Sequence, residues 1–171
     1  MVVINKATTK DAEALAKLCI ESFLPAHGHS SPKKDIYSYI SKNFSKENLL
    51  CESAEKKNEY YLIYFKGKLA GFSKVIFNAS NINIDGSNIT KMERLYLLKE
   101  FYGLGLGKEL FDFNIALSKK NQQKGVWLEV WVENYRAISF YSKMGMKKKG
   151  LYDFKVSETH SNPNYVMYLK Y

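Results

Sequence analysis

Two cysteines, Cys19 and Cys51, are all that the 171 residues contain. That is too few for a disulfide framework, and no CxxC pair occurs. The three histidines, His27, His29 and His160, make no zinc-ligand spacing, so no metal is expected. Three prolines and ten glycines exclude a collagen-like chain or a proline-rich linker. No apolar run approaches the roughly 18 residues of a membrane span. The N-terminus has no apolar core of a secretion signal, and a cytoplasmic protein is the expectation. Acidic residues are in deficit, 17 against 26 Lys and Arg, leaving a formal charge of +9. A basic surface attracts polyanions such as nucleic acid, an anionic membrane or a nucleotide cofactor. The only basic run is Lys147-Lys148-Lys149, without a recognition helix or an aromatic–basic RNA motif, so nucleic acid is not an expected partner.

What is present is apolar and aromatic. Hydrophobic residues make up 46% and aromatic residues 15%, which excludes a disordered chain and fits one domain over 1–171. Val2-Val3-Ile4 reads as a first strand. Ala12, Leu15, Ala16, Leu18, Cys19 and Phe23 recur at helical spacing, predicting a helix over about 10–23 that Pro25 to Pro32 breaks. Ile36, Tyr39, Ile40, Asn43 and Phe44 predict a second helix and Glu47 to Ala54 a third. The period then changes: Tyr60–Phe65, a Lys66-Gly67-Lys68 turn and Leu69–Phe77 read as a hairpin. Asn78 to Asn88 reads as a loop. Ile89 to Leu98 reads as the fourth strand, with Met92, Arg94 and Tyr96 on one face and Glu93, Leu95 and Leu97 on the other. A helix from about Lys108 stops at Gly125. A strand over Val126–Val132, a helix over Asn134–Met144 and strands near 147–156 and 165–171 complete a mixed α/β order.

Between the fourth strand and its helix lies Tyr102-Gly103-Leu104-Gly105-Leu106-Gly107-Lys108. Glycines let backbone N–H groups approach an anion, and a helix N-terminus adds its positive end. Walker A spacing fails, because Tyr102 and Glu109 stand where Gly and Ser/Thr are needed, and the GxGxG spacing is not the dinucleotide fingerprint. Phosphate binding and a plain structural turn both remain open from these residues alone.

The second half of the chain narrows this. The glycine loop, followed by Asn134, Ala137, Phe140, Tyr141, Lys143 and Gly145, resembles the GNAT superfamily of acyl-CoA-dependent N-acetyltransferases, with Met146 replacing the usual Phe. The match is close over about residues 89–148. One departure stands in the loop, where the family's Gln or Arg is Tyr102; weakened polar contact with the pyrophosphate is expected there. The resemblance implies a single-domain α/β fold. Its mixed, mostly antiparallel sheet would have about six or seven strands, splayed between the fourth and fifth and flanked by helices. It implies acetyl-CoA as cosubstrate and a small amine as acceptor, in a monomer or homodimer. Backbone groups of Leu95, Tyr96 and Leu97 would pair with the pantetheine arm. Backbone N–H groups of Gly103, Leu104, Gly105, Leu106, Gly107 and Lys108 would hold the pyrophosphate. Asn134 would serve the pantetheine arm, cap its helix, or do both.

Tyr141 is the implied general acid for the departing thiolate; a phenol near pKa 10 protonating a thiolate near 8.5 is uphill by about 2 kcal/mol. Glu93 is the candidate base for the amine, with a salt bridge as its other reading, and Glu129 and Glu133 are weaker alternatives. His27 and His29 are expected in a loop at the acceptor side. Within the superfamily, Met92-Glu93-Arg94-Leu95-Tyr96, Gly125-Val126-Trp127-Leu128-Glu129-Val130-Trp131 and Ala137–Gly145 resemble the PaiA-type spermidine/spermine N-acetyltransferases. That implies a polyamine acceptor, met by an acidic patch from Glu93, Glu129, Glu133 and Asp153. A protein N-terminus, another small amine or a non-catalytic acetyl-CoA sensor are the alternatives.

Overall fold

The computed structural model describes all 171 residues. In chain order it contains β1 (Val2–Lys6), α1 (Ala12–His27), α2 (Lys33–Asn43), α3 (Lys46–Ala54), β2 (Asn58–Phe65), β3 (Lys68–Ile76), β4 (Thr90–Leu97), α4 (Leu106–Lys120), β5 (Gly125–Trp131), α5 (Tyr135–Lys143), β6 (Lys147–Lys155) and β7 (Ser161–Lys170). The strands form one sheet in the order β1-β2-β3-β4-β5-β7-β6. Every neighbouring pair is antiparallel except β4–β5, which α4 joins as a crossover. The β2–β3 hairpin turns on Lys66 (φ 49°) and Gly67 (φ 77°), two left-handed residues whose twist matches the flanking strands.

Helices cover both faces of the sheet. Tyr60, Leu62 and Phe72 pack with Leu15, Ile36 and Leu49 of α1, α2 and α3, whereas Tyr61 and Val75 pack on the side of Phe111 and Tyr141. Burial on both faces is why β2 reads as an unbroken apolar run without alternation. Each fully buried side chain of this size contributes about 1.5–3 kcal/mol of transfer free energy. Polar pairs fix α4 on the sheet: Ser73 Oγ donates to Asn114 Oδ1 at 3.0 Å, and the Thr90 and Ser118 hydroxyls lie 2.7 Å apart.

Four local expectations are corrected. Helix α1 does not break at Pro25 but runs on to His27, where the Gly28 N–H bonds the Leu24 carbonyl at 2.8 Å. Pro25 lies in the last turns, where a missing N–H frees only one carbonyl on an exposed face. Gly125 does not end α4, which closes at Asn121; it opens β5, and a Cβ there would lie 2.5 Å from the Tyr168 ring. Strand β7 begins at Ser161 and passes through Pro163, whose carbonyl accepts from the Val132 N–H at 3.0 Å. In β4 the register steps from Val75↔Met92 to Lys74↔Arg94, leaving Glu93 as the extra residue of a bulge. A bulge cancels strict alternation, so Glu93 and Arg94 do not point to opposite faces.

β4 and β5 pair only at Thr90↔Val126 and Lys91↔Trp127. Beyond Lys91 they part, as the resemblance implied.

Candidate active site

The glycine loop meets the parted strands at their open end. Gly103 (φ 77°) and Gly105 (φ 78°) occupy the left-handed region that other residues enter at a cost. The buried Leu106 side chain anchors the loop beside Ile63, Phe101 and Leu110, while Leu104 is exposed. The Gly105 carbonyl accepts from Lys108 at 3.0 Å and Glu109 at 3.1 Å, closing the first turn of α4. The Lys108 N–H, expected to face an anion, is therefore consumed, and the Lys108 ammonium pairs with Asp112. The N–H groups of Gly103, Leu104, Gly105, Leu106 and Gly107 donate to no carbonyl of the chain. Five such donors at a helix N-terminus fit a pyrophosphate.

A cavity of about 1010 Å³ runs from this loop between the parted strands to α1 and α2. Leu95, Tyr96 and Leu97 line it from β4, whose edge facing β5 has no strand partner beyond Lys91. An amide-bearing chain fits such an edge as a further strand would. Asn134 and Tyr141 line it from the opposite wall. Asn134 Oδ1 accepts from the Ala137 N–H at 3.2 Å, so the capping reading holds and the amide Nδ2 is left for another partner. Tyr141 is 9% exposed and packs on Phe140 and Phe111, with ring centroids 5.3 and 6.4 Å away. Burial alone pushes its phenol above the usual value, so it stays protonated throughout the neutral range.

Glu93 lines the cavity but is not free. Its Oε2 lies 2.5 Å from Lys74 Nζ and its Oε1 3.9 Å from Lys91 Nζ. Lys74, 3% exposed, also pairs with Glu52. Glu52 in turn binds Arg94 at 3.1 Å, and Arg94 donates to the Tyr60 hydroxyl at 2.7 Å. Burial raises the Glu52 pKa, yet Arg94 together with hydrogen bonds from Lys74 and Tyr60 carries it below the usual carboxylate value. Glu129 pairs with Lys91 at 3.2 Å. The expected acidic patch is thus largely neutralised: Glu52, Glu93 and Glu129 face Lys74, Lys91 and Arg94. Glu133 lines the cavity, whereas Asp153 does not, since its neighbours Tyr152 and Phe154 take the inward positions. The partners Lys74 and Glu52 went unread in the sequence. The available signal was a lysine inside Phe72-Ser73-Lys74-Val75-Ile76, where a strand buried on both sides leaves a cation only an ion pair.

His27 is not a loop residue. It ends α1 and bridges the gap between the parted strands. Its Nε2 lies 3.3 Å from the Tyr96 hydroxyl, and its ring is 6.4 Å from Tyr96 and 6.1 Å from Trp131. Burial, with the neighbouring His29, lowers its pKa from 6.5 to about 4. Tyr96 thus presents its backbone to the open edge and its side chain to α1. His29 packs on Trp131 at 5.4 Å.

The chain belongs to the acetyltransferase (GNAT) family, which it matches over residues 17–146. Its relatives include a spermidine N(1)-acetyltransferase of Thermoplasma acidophilum, 28% identical over 173 residues, covering 99% of this chain and 98% of the relative. A putative [ribosomal protein bS18]-alanine N-acetyltransferase of Bacillus subtilis is 30% identical over 115 residues, 67% of this chain and 71% of the relative. Among solved structures, the PaiA N-acetyltransferase of Thermoplasma acidophilum in complex with coenzyme A superposes with a TM-score of 0.78 at 25% identity, over 100% of this chain and 99% of that one. The protein is accordingly an N-acetyltransferase, and acetyl-CoA is its cosubstrate.

A histidine held neutral by burial opposes acidification. Its folded-state pKa is depressed, so its contribution is complete above about pH 6.5 and is lost as pH falls toward 4. The stability advantage of the wild type over His27→Gln is expected to shrink by about 2 kcal/mol between pH 7 and pH 5, read from urea unfolding at each pH. A difference that stays constant over this range would mean that His27 is solvated.

Proposed function

We propose that this N-acetyltransferase acts on a polyamine of the spermidine or spermine class. The observation that carries the acceptor class is the similarity to the Thermoplasma spermidine acetyltransferase along practically the whole chain. With Glu52, Glu93 and Glu129 already paired, distal ammonium groups of such an acceptor would be held by Glu133 and by the faces of Tyr96 and Trp131.

Acetyl-CoA supplies an activated thioester when bound. The free edge of β4 at Leu95, Tyr96 and Leu97 would bind the pantetheine amides, with Asn134 Nδ2 opposite. The N–H groups of Gly103 to Gly107 would bind the pyrophosphate. Tyr141 holds its proton at neutral pH and would deliver it to the departing sulfur. Glu93 Oε1, the oxygen not held by Lys74, would take the amine's proton directly or through a water.

Initial rates of thiol release test the acceptor. Spermidine and spermine are expected to give a higher kcat/KM than a monoamine of the same length, with a preference that shrinks as salt is added. Equal values at low salt would remove the polyamine reading, and a preferred alanine-terminal peptide would replace it with a protein N-terminus. Tyr141→Phe is expected to lower kcat by roughly 100-fold while leaving acetyl-CoA affinity nearly unchanged. A wild-type kcat where chemistry limits the rate would give Tyr141 a packing role only.

A further inference from the structure

Tyr102 stands where the family pattern has Gln or Arg. Its ring lies under the guanidinium of Arg136, whose central carbon is 3.5 Å from the ring centroid. Arg136 is the second residue of α5, so two elements bring the pair together at the mouth of the cavity, beside Gly103 and Gly105.

Arg136 is electrostatically out of place without an anion. A cation in the first turn of a helix opposes the helix dipole. No acidic residue stands in the first turn of α5 to offset it. Lys91, Arg94 and Lys108, which line the same cavity, each hold a carboxylate at 3.2 Å or less, whereas Arg136 and Lys99 hold none, and of these two only Arg136 is stacked on a ring. Stacking on Tyr102 orients the planar fork while leaving its N–H donors free. A few residues away, five backbone N–H groups from Gly103 to Gly107 point to no acceptor of the protein.

We propose that Arg136, pre-oriented by Tyr102, is the cation that binds the diphosphate of coenzyme A, in place of a polar side chain at position 102. The pair divides one task between two segments: Tyr102 sets the plane of the guanidinium, and Arg136 supplies charge and paired donors. This rests on the reading of the glycine loop as the cofactor's phosphate site.

Titration calorimetry with coenzyme A and with 3′-dephospho-coenzyme A tests it without recourse to turnover. Arg136→Ala is expected to raise the Kd for both by about tenfold or more, and equally, because both carry the diphosphate. Arg136→Lys keeps the charge but not the fork and should recover only part of the loss. Should the alanine variant not fold, Arg136→Gln carries the same expectation. An unchanged Kd in a folded variant overturns the proposal. A loss seen with coenzyme A but absent with the dephospho form also overturns it, moving Arg136 to the 3′-phosphate. Absence of binding by the wild-type protein would instead overturn the phosphate-site reading beneath it.

Discussion

The parting of β4 from β5 after Lys91 is the constraint on which the site depends. A sheet that continued its ladder would satisfy these backbone groups internally and leave no cleft. Here the β4 edge from Met92 onward keeps its β3 partners but has none toward β5. Unpaired backbone groups in a cavity cost about 1–3 kcal/mol each unless water or a ligand meets them. The open edge therefore selects for a chain carrying amides. The glycine loop at its end, with five N–H groups that no carbonyl of the chain accepts, suits an anion. The two demands together match the two chemical halves of coenzyme A.

Paired charges line one part of this cleft. Glu52, Lys74, Glu93, Arg94 and Lys91 form one linked network, of which all but Lys74 line the cavity. Removing one member would leave a partner buried and unpaired, which costs more than the pair contributes. At the far end the rings of His27 and His29 pack on Trp131 and close the gap with aromatic surface.

Much of this was legible in the sequence because it is carried by local pattern. The order of elements follows from apolar periodicity, and the glycine loop from Gly103, Gly105 and Gly107 ahead of a helix. Asn134 was readable as both cap and cavity residue. The failures share one cause: they depend on contacts between distant segments. The face of Glu93 was misassigned because a bulge opposite Lys74 breaks alternation, and nothing within β4 announces it. Pro25 suggested a break, yet its position near the end of α1 leaves the helix intact to His27. His27 read as a loop residue, and its packing went unread because Tyr96 and Trp131, which it meets, lie 69 and 104 residues further along the chain. The partnership of Arg136 with Tyr102 is likewise invisible until α5 is set against the loop.

The account's central claim is that the free edge of β4 and the unpaired N–H groups of the glycine loop together receive the cosubstrate. Site-resolved amide hydrogen exchange, with and without saturating coenzyme A, tests this most directly. Slowed exchange concentrated at Gly103 to Gly107 and at Leu95 to Leu97, with β2 unchanged, is the predicted result. Unaltered exchange in both segments on saturation, or protection confined to another surface, would contradict it.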